Sequence, residues 1–337
     1  MRLHIGYVPL CDAAPVVVAH ELGFARAEGL DLELAAEPSW ATLRDRLALG
    51  HLDAAHMLAP LALASALGLS GPPASLRVPL SLSLNGNAIT LTDALWAEMA
   101  PASDDLGTVA AAFAAAVRAR RAEGRVVTLG TVHPFSCHTY QVRLFAERGG
   151  LDASAIRLVA VPPQHAVEAL SRGIVDGFCA GAPWNGVAVA AGIGRIAALG
   201  CEIVPDCPEK VLAVSHRIED ALLPLVRAVA RAALWCAQAE NRDELAHRLA
   251  RRSYLGLDAE LIARTLAGDL ALDGTRRRHA PDYLRLGAPA LAPRPEHVRW
   301  LLAQMRSAGQ IPPGADLLPA ARAVYREDLF ADAVPRA

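Results

Sequence analysis

Lysine occurs once in this chain, at position 210, although lysine and arginine together number 33. A lysine ammonium is a compact point charge, whereas an arginine guanidinium is a planar fork with five donors, so a site built for the first need not accept the second. Lys210 ends the segment CPEK. It also begins the stretch KVLAV, which predicts a strand at 210–214. We interpret Lys210 as a candidate counter-charge for a small anion. The alternative is that one lysine survived an arginine-rich composition by chance.

A histidine stands at the end of another predicted strand. The segment HPFS, which begins at His133, follows a strand predicted at 125–130 and leads into a helix predicted to end near Arg148. The first N–H groups of a helix have no partner within the helix and can bind an anion. His133, this helix start and Lys210 would together form a positive pocket for a small anion. Taken alone, His133 could equally be a structural residue.

Three more loop positions could contact a ligand. Trp40 and Gln164 each stand between a predicted strand and a predicted helix, at equivalent places in two similar segments. Gly181 precedes the sequence APW and could allow a ligand to approach the backbone closely. Structural roles stay open for each of them, as a core tryptophan, a surface glutamine and a turn glycine.

Two similar stretches organise the elements that carry these residues. Residues 47–60 read LALGHLDAAHMLAP and residues 170–183 read LSRGIVDGFCAGAP. At an offset of 123, Leu47, Gly50, Asp53 and Pro60 match Leu170, Gly173, Asp176 and Pro183. A period this long exceeds that of solenoid repeats and predicts two lobes built on one plan. The alternative is that any two strand–helix–strand units resemble each other at glycine and aspartate.

The order of predicted strands and helices gives an α/β fold with a helical C-terminal region. One helix is predicted from about 14 to 27, and Asn85-Gly86-Asn87 divides the apolar stretch 78–91 into two strands. We assign residues 1–91 and 211–337 to lobe I, with the C-terminal helices, and residues 92–210 to lobe II. The ligand site is expected where strand ends of the two lobes converge.

Composition excludes several classes of function. Hydrophobic residues make up 53% and charged residues 20% of 337 residues, which is typical of a well-buried globular protein. A net charge of −2 gives no electrostatic reason for direct nucleic-acid binding. The six cysteines are scattered, without a C-x-x-C pair or zinc-site spacing, and predict free thiols. We therefore predict no metal and no cofactor.

The beginning of the sequence, MRLHIGYVPLCDAAP, lacks a basic region followed by a continuous apolar region. The longest apolar run, at 109–117, is roughly half as long as a bilayer crossing requires. These features predict a cytoplasmic protein with no membrane association.

Several longer motifs carry a family resemblance. They are PSWATLRD (38–45), LDAAHMLAP (52–60), LNGNAIT (84–90), HPFS (133–136), DGFCAGAPWN (176–185) and PEKVL (208–212). In this order they resemble the nitrate and bicarbonate substrate-binding proteins of ABC importers (NrtA/CmpA type), strongly from Gly6 to about Leu212 and more weakly beyond. The resemblance implies the type II periplasmic-binding-protein fold, in which two α/β lobes close on a ligand.

Carried over by position, the resemblance implies nitrate contacts from Trp40, Asn87, His133, Gly181 and Lys210. The resemblance does not supply Gln164, which is a candidate from the repeat alone. Some members have glutamine near the position of Asn87, and many have glutamate where this chain has Ala182. The resemblance predicts that Lys210→Ala loses most nitrate binding while the fold survives.

The expected absence of an export signal makes the chain similar to a cytoplasmic branch, the nitrate/nitrite sensor (NasS type). Such a sensor holds an RNA-binding antiterminator of the ANTAR class until the anion binds. Anion and partner would favour different forms of the protein, so each would weaken binding of the other by the same factor.

Two other functions are compatible with the resemblance. One is the substrate-binding component of a nitrate, nitrite or bicarbonate importer. The other is an enzyme on the same fold, like relatives that make the thiamin pyrimidine with a lysine Schiff base to pyridoxal phosphate. No acid–base pair or cysteine cluster in the sequence supports the enzyme.

Overall fold

The structure, a computed structural model, describes residues 1–334; residues 335–337, the end of predicted lobe I, lie outside it. The chain forms two compact units. Unit 1 comprises Met1–Leu84, Pro208–Ala263 and Arg285–Ala337, and unit 2 comprises Asn85–Cys207 and Arg264–Leu284. These boundaries differ from the predicted lobes at 85–91 and 264–284, which belong to unit 2, and at 208–210, which belong to unit 1.

The strands are short and mostly buried. In chain order they are β1 (Arg2–Tyr7), β2 (Asp31–Ala36), β3 (Ala54–Leu58), β4 (Leu76–Asn85), β5 (Asn87–Leu91), β6 (Thr128–Thr131), β7 (Arg157–Ala160), β8 (Gly177–Gly181), β9 (Arg195–Leu199), β10 (Pro208–Ser215), β11 (Asp269–Ala271), β12 (Arg277–His279) and β13 (Leu284–Arg285).

Helices connect the strands and form the C-terminal region. They are α1 (Ala14–Glu21), α2 (Phe24–Ala27), α3 (Trp40–Ala48), α4 (Ala59–Ala66), α5 (Asp93–Met99), α6 (Leu106–Ala122), α7 (Cys137–Arg148), α8 (Ala166–Ser171), α9 (Trp184–Ala190), α10 (Gly200–Ile203), α11 (Glu219–Cys236), α12 (Arg242–Leu249), α13 (Ala259–Leu266), α14 (Ala288–Leu291), α15 (Pro295–Ser307), α16 (Leu318–Val324) and α17 (Glu327–Ala333). Short 3-10 turns occur at Cys11–Ala13, Ala153–Ala155, Pro163–His165 and Ala239–Asn241.

Within residues 1–334, no helix combines the length and the apolar content that crossing a membrane requires. The helix predicted at 14–27 is two helices in the structure, α1 and α2. Gly23 separates them with a φ of 76°, a left-handed conformation that glycine adopts at little cost and that no regular helix contains.

The sheet of unit 1 has the strand order β13-β4-β10-β3-β1-β2. Strand β1 pairs in parallel with β2 and β3, whereas β10 pairs antiparallel with β3 and β4. Helices cover this sheet, and α1 packs against α11; Val17 of α1 and Leu225 of α11 are both fully buried. The parallel strands bring their carboxyl ends to one edge of the sheet.

Unit 2 repeats this arrangement. Its sheet has the order β7-β6-β8-β5-β9, with β6 parallel to β7 and β8, and with β5 antiparallel to β8 and β9. Strands β6, β7 and β8 therefore correspond to β1, β2 and β3 of unit 1, and β5 corresponds to β10. The predicted duplication is present in the strand pairing itself.

The matched aspartates explain why the repeat is visible in the sequence. The Asp53 carboxylate accepts the His4 N–H at 2.8 Å, and the Asp53 N–H donates to the His4 carbonyl at 2.8 Å. Asp176 makes the same two bonds with Thr128, also at 2.8 Å. Each aspartate lies at the start of a parallel strand pair. Its carboxylate accepts a backbone N–H that the hydrogen bonds between the strands leave unpaired.

The chain leaves unit 1 at the predicted interruption of 78–91. Asn85 and Gly86 have φ values of 62° and 94°, which ends β4 and starts β5 in the other sheet. The Asn85 side chain fixes this turn, because its Oδ1 accepts the Cys207 N–H at 2.8 Å and its Nδ2 donates to the Asp282 carbonyl at 2.8 Å. The prediction of two strands broken at this point is confirmed.

Candidate functional site

In unit 1, Trp40 is placed by the start of a helix. It is the first residue of α3, and Ser39 caps that helix by accepting the Thr42 N–H at 3.1 Å on its hydroxyl. Trp40 follows the carboxyl end of β2 after the short connection at 37–39, between a strand and a helix as the sequence predicts, and its side chain is fully buried.

Lys210 lies inside the same unit, in the middle of the sheet. Strand register pairs it with Leu58 of β3 and with Ser83 of β4. The register also pairs His56 with Leu212. Because paired residues share a face and residues two apart point the same way, the side chains of Lys210 and His56 lie on one face of the sheet.

Lys210 is fully buried between two carboxylates. Its Nζ lies 2.9 Å from Asp12 Oδ2 and 2.8 Å from Glu209 Oε1. Asp12, from the 3-10 turn after β1, also holds His56, whose Nε2 lies 2.9 Å from Asp12 Oδ1. Within unit 1, the positive pocket expected around Lys210 is therefore a compensated group in which two carboxylates face one ammonium.

The shared partners set the charges of this group. Burial alone would raise the pKa of the Asp12 carboxyl, but the Lys210 ammonium and the His56 ring hold it well below its usual range. Burial also opposes the charge on Lys210, yet Asp12 and Glu209 raise the pKa of its ammonium above the ordinary value. Burial dominates at His56 and lowers the pKa of the ring, although Asp12 acts in the opposite direction. At neutral pH the group carries one net negative charge.

Two ring systems complete this group. Lys210 Nζ lies 5.5 Å from the centroid of the Trp40 ring, within cation–π range. The rings of Trp40 and His56 lie 5.6 Å apart, tilted by 49°. Trp40 Nε1, His56 Nδ1 and Ser83 Oγ are buried without a hydrogen-bond partner in the described part of the chain. Buried polar atoms are rarely left in this state, so the two ring nitrogens of this group can serve a ligand.

In unit 2, His133 follows β6 and precedes α7. Its Nδ1 accepts the Phe135 N–H at 3.1 Å, so in the neutral ring Nε2 carries the proton and is a donor. Ser136 caps α7 by accepting the Thr139 N–H at 3.1 Å and donates to the His133 carbonyl at 2.6 Å. The loop that the sequence marked as anion-binding is thus held in one conformation by its own side chains.

Asn87 and Gly181 are direct neighbours on the paired strands β5 and β8. The Asn87 amide Nδ2 donates to Gln141 Oε1 at 3.1 Å, and both side chains are fully buried. Gln141 Nε2 has no hydrogen-bond partner among residues 1–334. Gly200 makes room for this amide pair, since a Cβ there would lie 2.9 Å from the Asn87 carbonyl oxygen and from the Gln141 amide.

Gln164 occupies the position expected from the repeat. It lies in the 3-10 turn Pro163–His165, after β7 and before α8, and is half-buried. Strands β6 and β7 are parallel neighbours, so His133 and Gln164 follow the same edge of the unit 2 sheet. Trp40 has the corresponding place after β2 in unit 1.

Sequence reasoning missed Asp12, His56, Glu209 and Gln141. One signal was available at His56, a polar residue in the otherwise apolar stretch AAHML, which predicts a buried strand. A buried histidine needs a partner, but which residue supplies it depends on the strand order. Glu209 is adjacent to Lys210 and indicated a possible ion pair. Nothing local marks Gln141.

The cysteines are free thiols, as predicted, and all but Cys201 are buried. Burial raises the pKa of the Cys201 thiol to about 11, so it is protonated at neutral pH.

Comparison with known proteins gives the family. The model of the NMT1-like family matches residues 1–250. The nitrate/nitrite binding protein NrtA of Synechococcus elongatus is 30% identical over 98% of this chain and 76% of its own length. The bicarbonate transport ATP-binding protein CmpC of the same species is 34% identical over 93% of this chain, but the chain spans only 46% of CmpC.

A solved relative confirms the fold. The crystal structure of the periplasmic nitrate-binding protein NrtA from Synechocystis PCC 6803 matches with a TM-score of 0.90 and 28% identity, over 98% of this chain and 88% of that one. The paired α/β units are therefore those of the type II periplasmic-binding-protein fold. The chain belongs to the NMT1-like family and groups with the substrate-binding proteins of the NrtA type.

Proposed function

We propose that this chain binds a small planar oxyanion, nitrate or nitrite, as a binding protein of the NrtA type. The observation that carries the proposal is the buried group around Lys210, in which the chain's single lysine borders the ring of Trp40, whose N–H has no acceptor among residues 1–334. A planar anion matches both features, because its oxygens accept hydrogen bonds while its face stacks on a ring.

The proposal assigns contacts by position. Trp40 and Lys210 belong to unit 1, and Asn87, His133 and Gly181 belong to unit 2. Trp40 would offer its ring and N–H, Lys210 its charge, His133 its Nε2–H, Asn87 its amide and Gly181 its backbone. Gln164 is a further candidate, supported only by its place in the repeat.

Binding, and not catalysis, is the proposed activity. A lysine that forms a Schiff base must lose its proton and attack as the neutral amine. Asp12 and Glu209 favour the ammonium form of Lys210 even against the effect of burial, so they oppose that chemistry. The relatives compared above are likewise named for binding and transport.

A thermal-shift panel tests the anion. Nitrate or nitrite should raise the melting temperature, because a ligand that binds only the native state adds about 2.7 kcal/mol of stability at one hundred times its Kd. Bicarbonate and sulfate, at equal ionic strength, should have smaller effects. A response to sulfate alone, or to none of the four anions, would contradict the proposal.

We further propose that the binding protein acts in the cytoplasm as a sensor of the NasS type. The anion would release an ANTAR-class RNA-binding antiterminator, and the chain itself would bind neither nucleic acid nor membrane. The similarity to NrtA and CmpC favours a second candidate, the substrate-binding component of an importer.

Fractionation and co-purification distinguish the two roles. A sensor should be recovered with the cytosol, together with an RNA-binding protein that dissociates when nitrate is added. Recovery outside the inner membrane, without such a partner, would favour the importer component.

A further inference from the structure

The charge of the group around Lys210 poses a problem for binding an anion. Asp12 and Glu209 already neutralise the single ammonium and leave one negative charge in a fully buried place. The net negative charge would repel an anion that binds next to this group, and the protein interior screens that repulsion poorly. An additional positive charge at the group would remove the obstacle.

His56 is placed to provide that charge. Its Nε2 is bonded to Asp12 Oδ1 at 2.9 Å, so in the neutral ring the proton is on Nε2, where it donates to the carboxylate. Its Nδ1 is then a buried acceptor that no described residue serves. When Nδ1 binds a proton it becomes a donor, and a donor at this position needs an acceptor.

An anion in contact with Trp40 and Lys210 would supply this acceptor. The Trp40 ring is 5.6 Å from the His56 ring and 5.5 Å from Lys210 Nζ, so both cationic groups border the same tryptophan. The Trp40 N–H and a protonated His56 Nδ1–H would be two donors in one buried group, and neither has an acceptor in the part of the chain that the structure describes.

We propose that His56 is an anion-binding residue and that the anion binds together with one proton, taken from solvent onto His56 Nδ1. This inference rests on the proposed function. In the bound state Asp12 and Glu209 carry two negative charges, Lys210 and His56 two positive charges, and the anion adds a single negative charge. The proton thus leaves the occupied group with the same net charge as the empty one.

The groups that face His56 determine how nitrate binding depends on pH. Asp12 contacts it directly, Glu209 and Lys210 act on it through their charges, and Trp40 is neutral. In the empty protein, burial keeps the ring neutral at pH 7, so binding must take up the proton from solvent. By linkage, Kd should rise by up to about tenfold for each pH unit above the ordinary pKa of histidine, about 6.5.

Calorimetry of the full chain with sodium nitrate tests this coupling. Titrations at pH 7.5 in buffers of different ionisation enthalpy give the number of protons bound per nitrate. The wild-type protein should take up close to one proton. His56→Gln, which keeps an amide donor for Asp12, should bind nitrate more weakly and take up none.

His133→Gln is the matched control, because it removes the other histidine assigned to the anion and leaves His56 in place. Proton uptake per nitrate should persist in this variant even though its affinity for nitrate falls. If His56→Gln does not fold, this result by itself tests whether a group other than His133 takes up the proton. Nitrate binding by the wild type without proton uptake overturns the inference, as does uptake that His133→Gln abolishes. If the wild type binds no nitrate, it is the proposed function that fails.

Discussion

Replacing Lys210 with methionine is expected to abolish anion binding and also to lower the free energy of unfolding by about 3–5 kcal/mol. The second effect follows from the two carboxylates that share this ammonium. Asp12 and Glu209 are fully buried and lie within 2.9 Å of Nζ, and the variant leaves their charges without a counter-charge. The sequence alone predicted that the fold would survive this loss, because Glu209 and Asp12 were not recognised as its partners.

The pH dependence of the free energy of unfolding distinguishes unpaired charge from a simple packing defect. In the wild type the pKa of Asp12 is held below its ordinary value of about 3.9, so the stability it contributes is complete above about pH 4 and is lost only at lower pH. In Lys210→Met the buried carboxylates can gain protons at higher pH, which relieves their repulsion. The stability difference should therefore be large at pH 7 and should shrink towards pH 4.

Chemical denaturation at a series of pH values measures this difference. The matched control is the double variant Lys210→Met with Asp12→Asn, which removes one of the two unpaired charges and should recover part of the lost stability at pH 7. A deficit that is the same at every pH and in the double variant would show that lost packing, not unpaired charge, destabilises the protein.

The repeat shows what can be predicted from the sequence. Asp53 and Asp176 stand out because each closes a strand pair with the same two backbone bonds, so one structural role is repeated in each unit. A role that recurs whenever the same strand arrangement recurs leaves a pattern with a fixed offset in the sequence. The strand break at Asn85-Gly86 is visible for a similar reason, since positive φ values favour those residue types.

The partners of the candidate site could not be predicted in this way. Asp12, His56 and Lys210 are joined because β10 lies between β3 and β4, a strand order that no local pattern specifies. The segment Arg264–Leu284 is a second example. It belongs to unit 2 because the Ile196 N–H donates to the Leu272 carbonyl at 2.8 Å and Arg195 pairs with Asp273 at 3.2 Å, contacts between residues far apart in sequence.

The amide pair in unit 2 gives the second prediction with a large expected effect. We expect Gln141→Leu to weaken nitrate binding by at least about tenfold, the loss of roughly one good hydrogen bond to a charged group. Gln141 orients Asn87 through the 3.1 Å bond from Asn87 Nδ2, and its own Nε2 is a buried donor with no partner in residues 1–334.

A neighbouring polar pair provides the control. Thr90 Oγ1 donates to Asn185 Oδ1 at 2.7 Å, and Asn185 Nδ2 donates to the Ala180 carbonyl at 2.7 Å, so this buried pair satisfies itself. Thr90→Val should therefore cost about 1–3 kcal/mol of stability and leave nitrate affinity unchanged. Gln141→Leu should cost stability too, because Gln141 Oε1 accepts from Asn87 Nδ2, but it should in addition weaken nitrate binding, because Gln141 Nε2 satisfies nothing within the described protein. Equal losses of stability with unchanged affinity in both variants would make Gln141 a structural residue, and Asn87 would then be the amide side chain that serves the anion in unit 2.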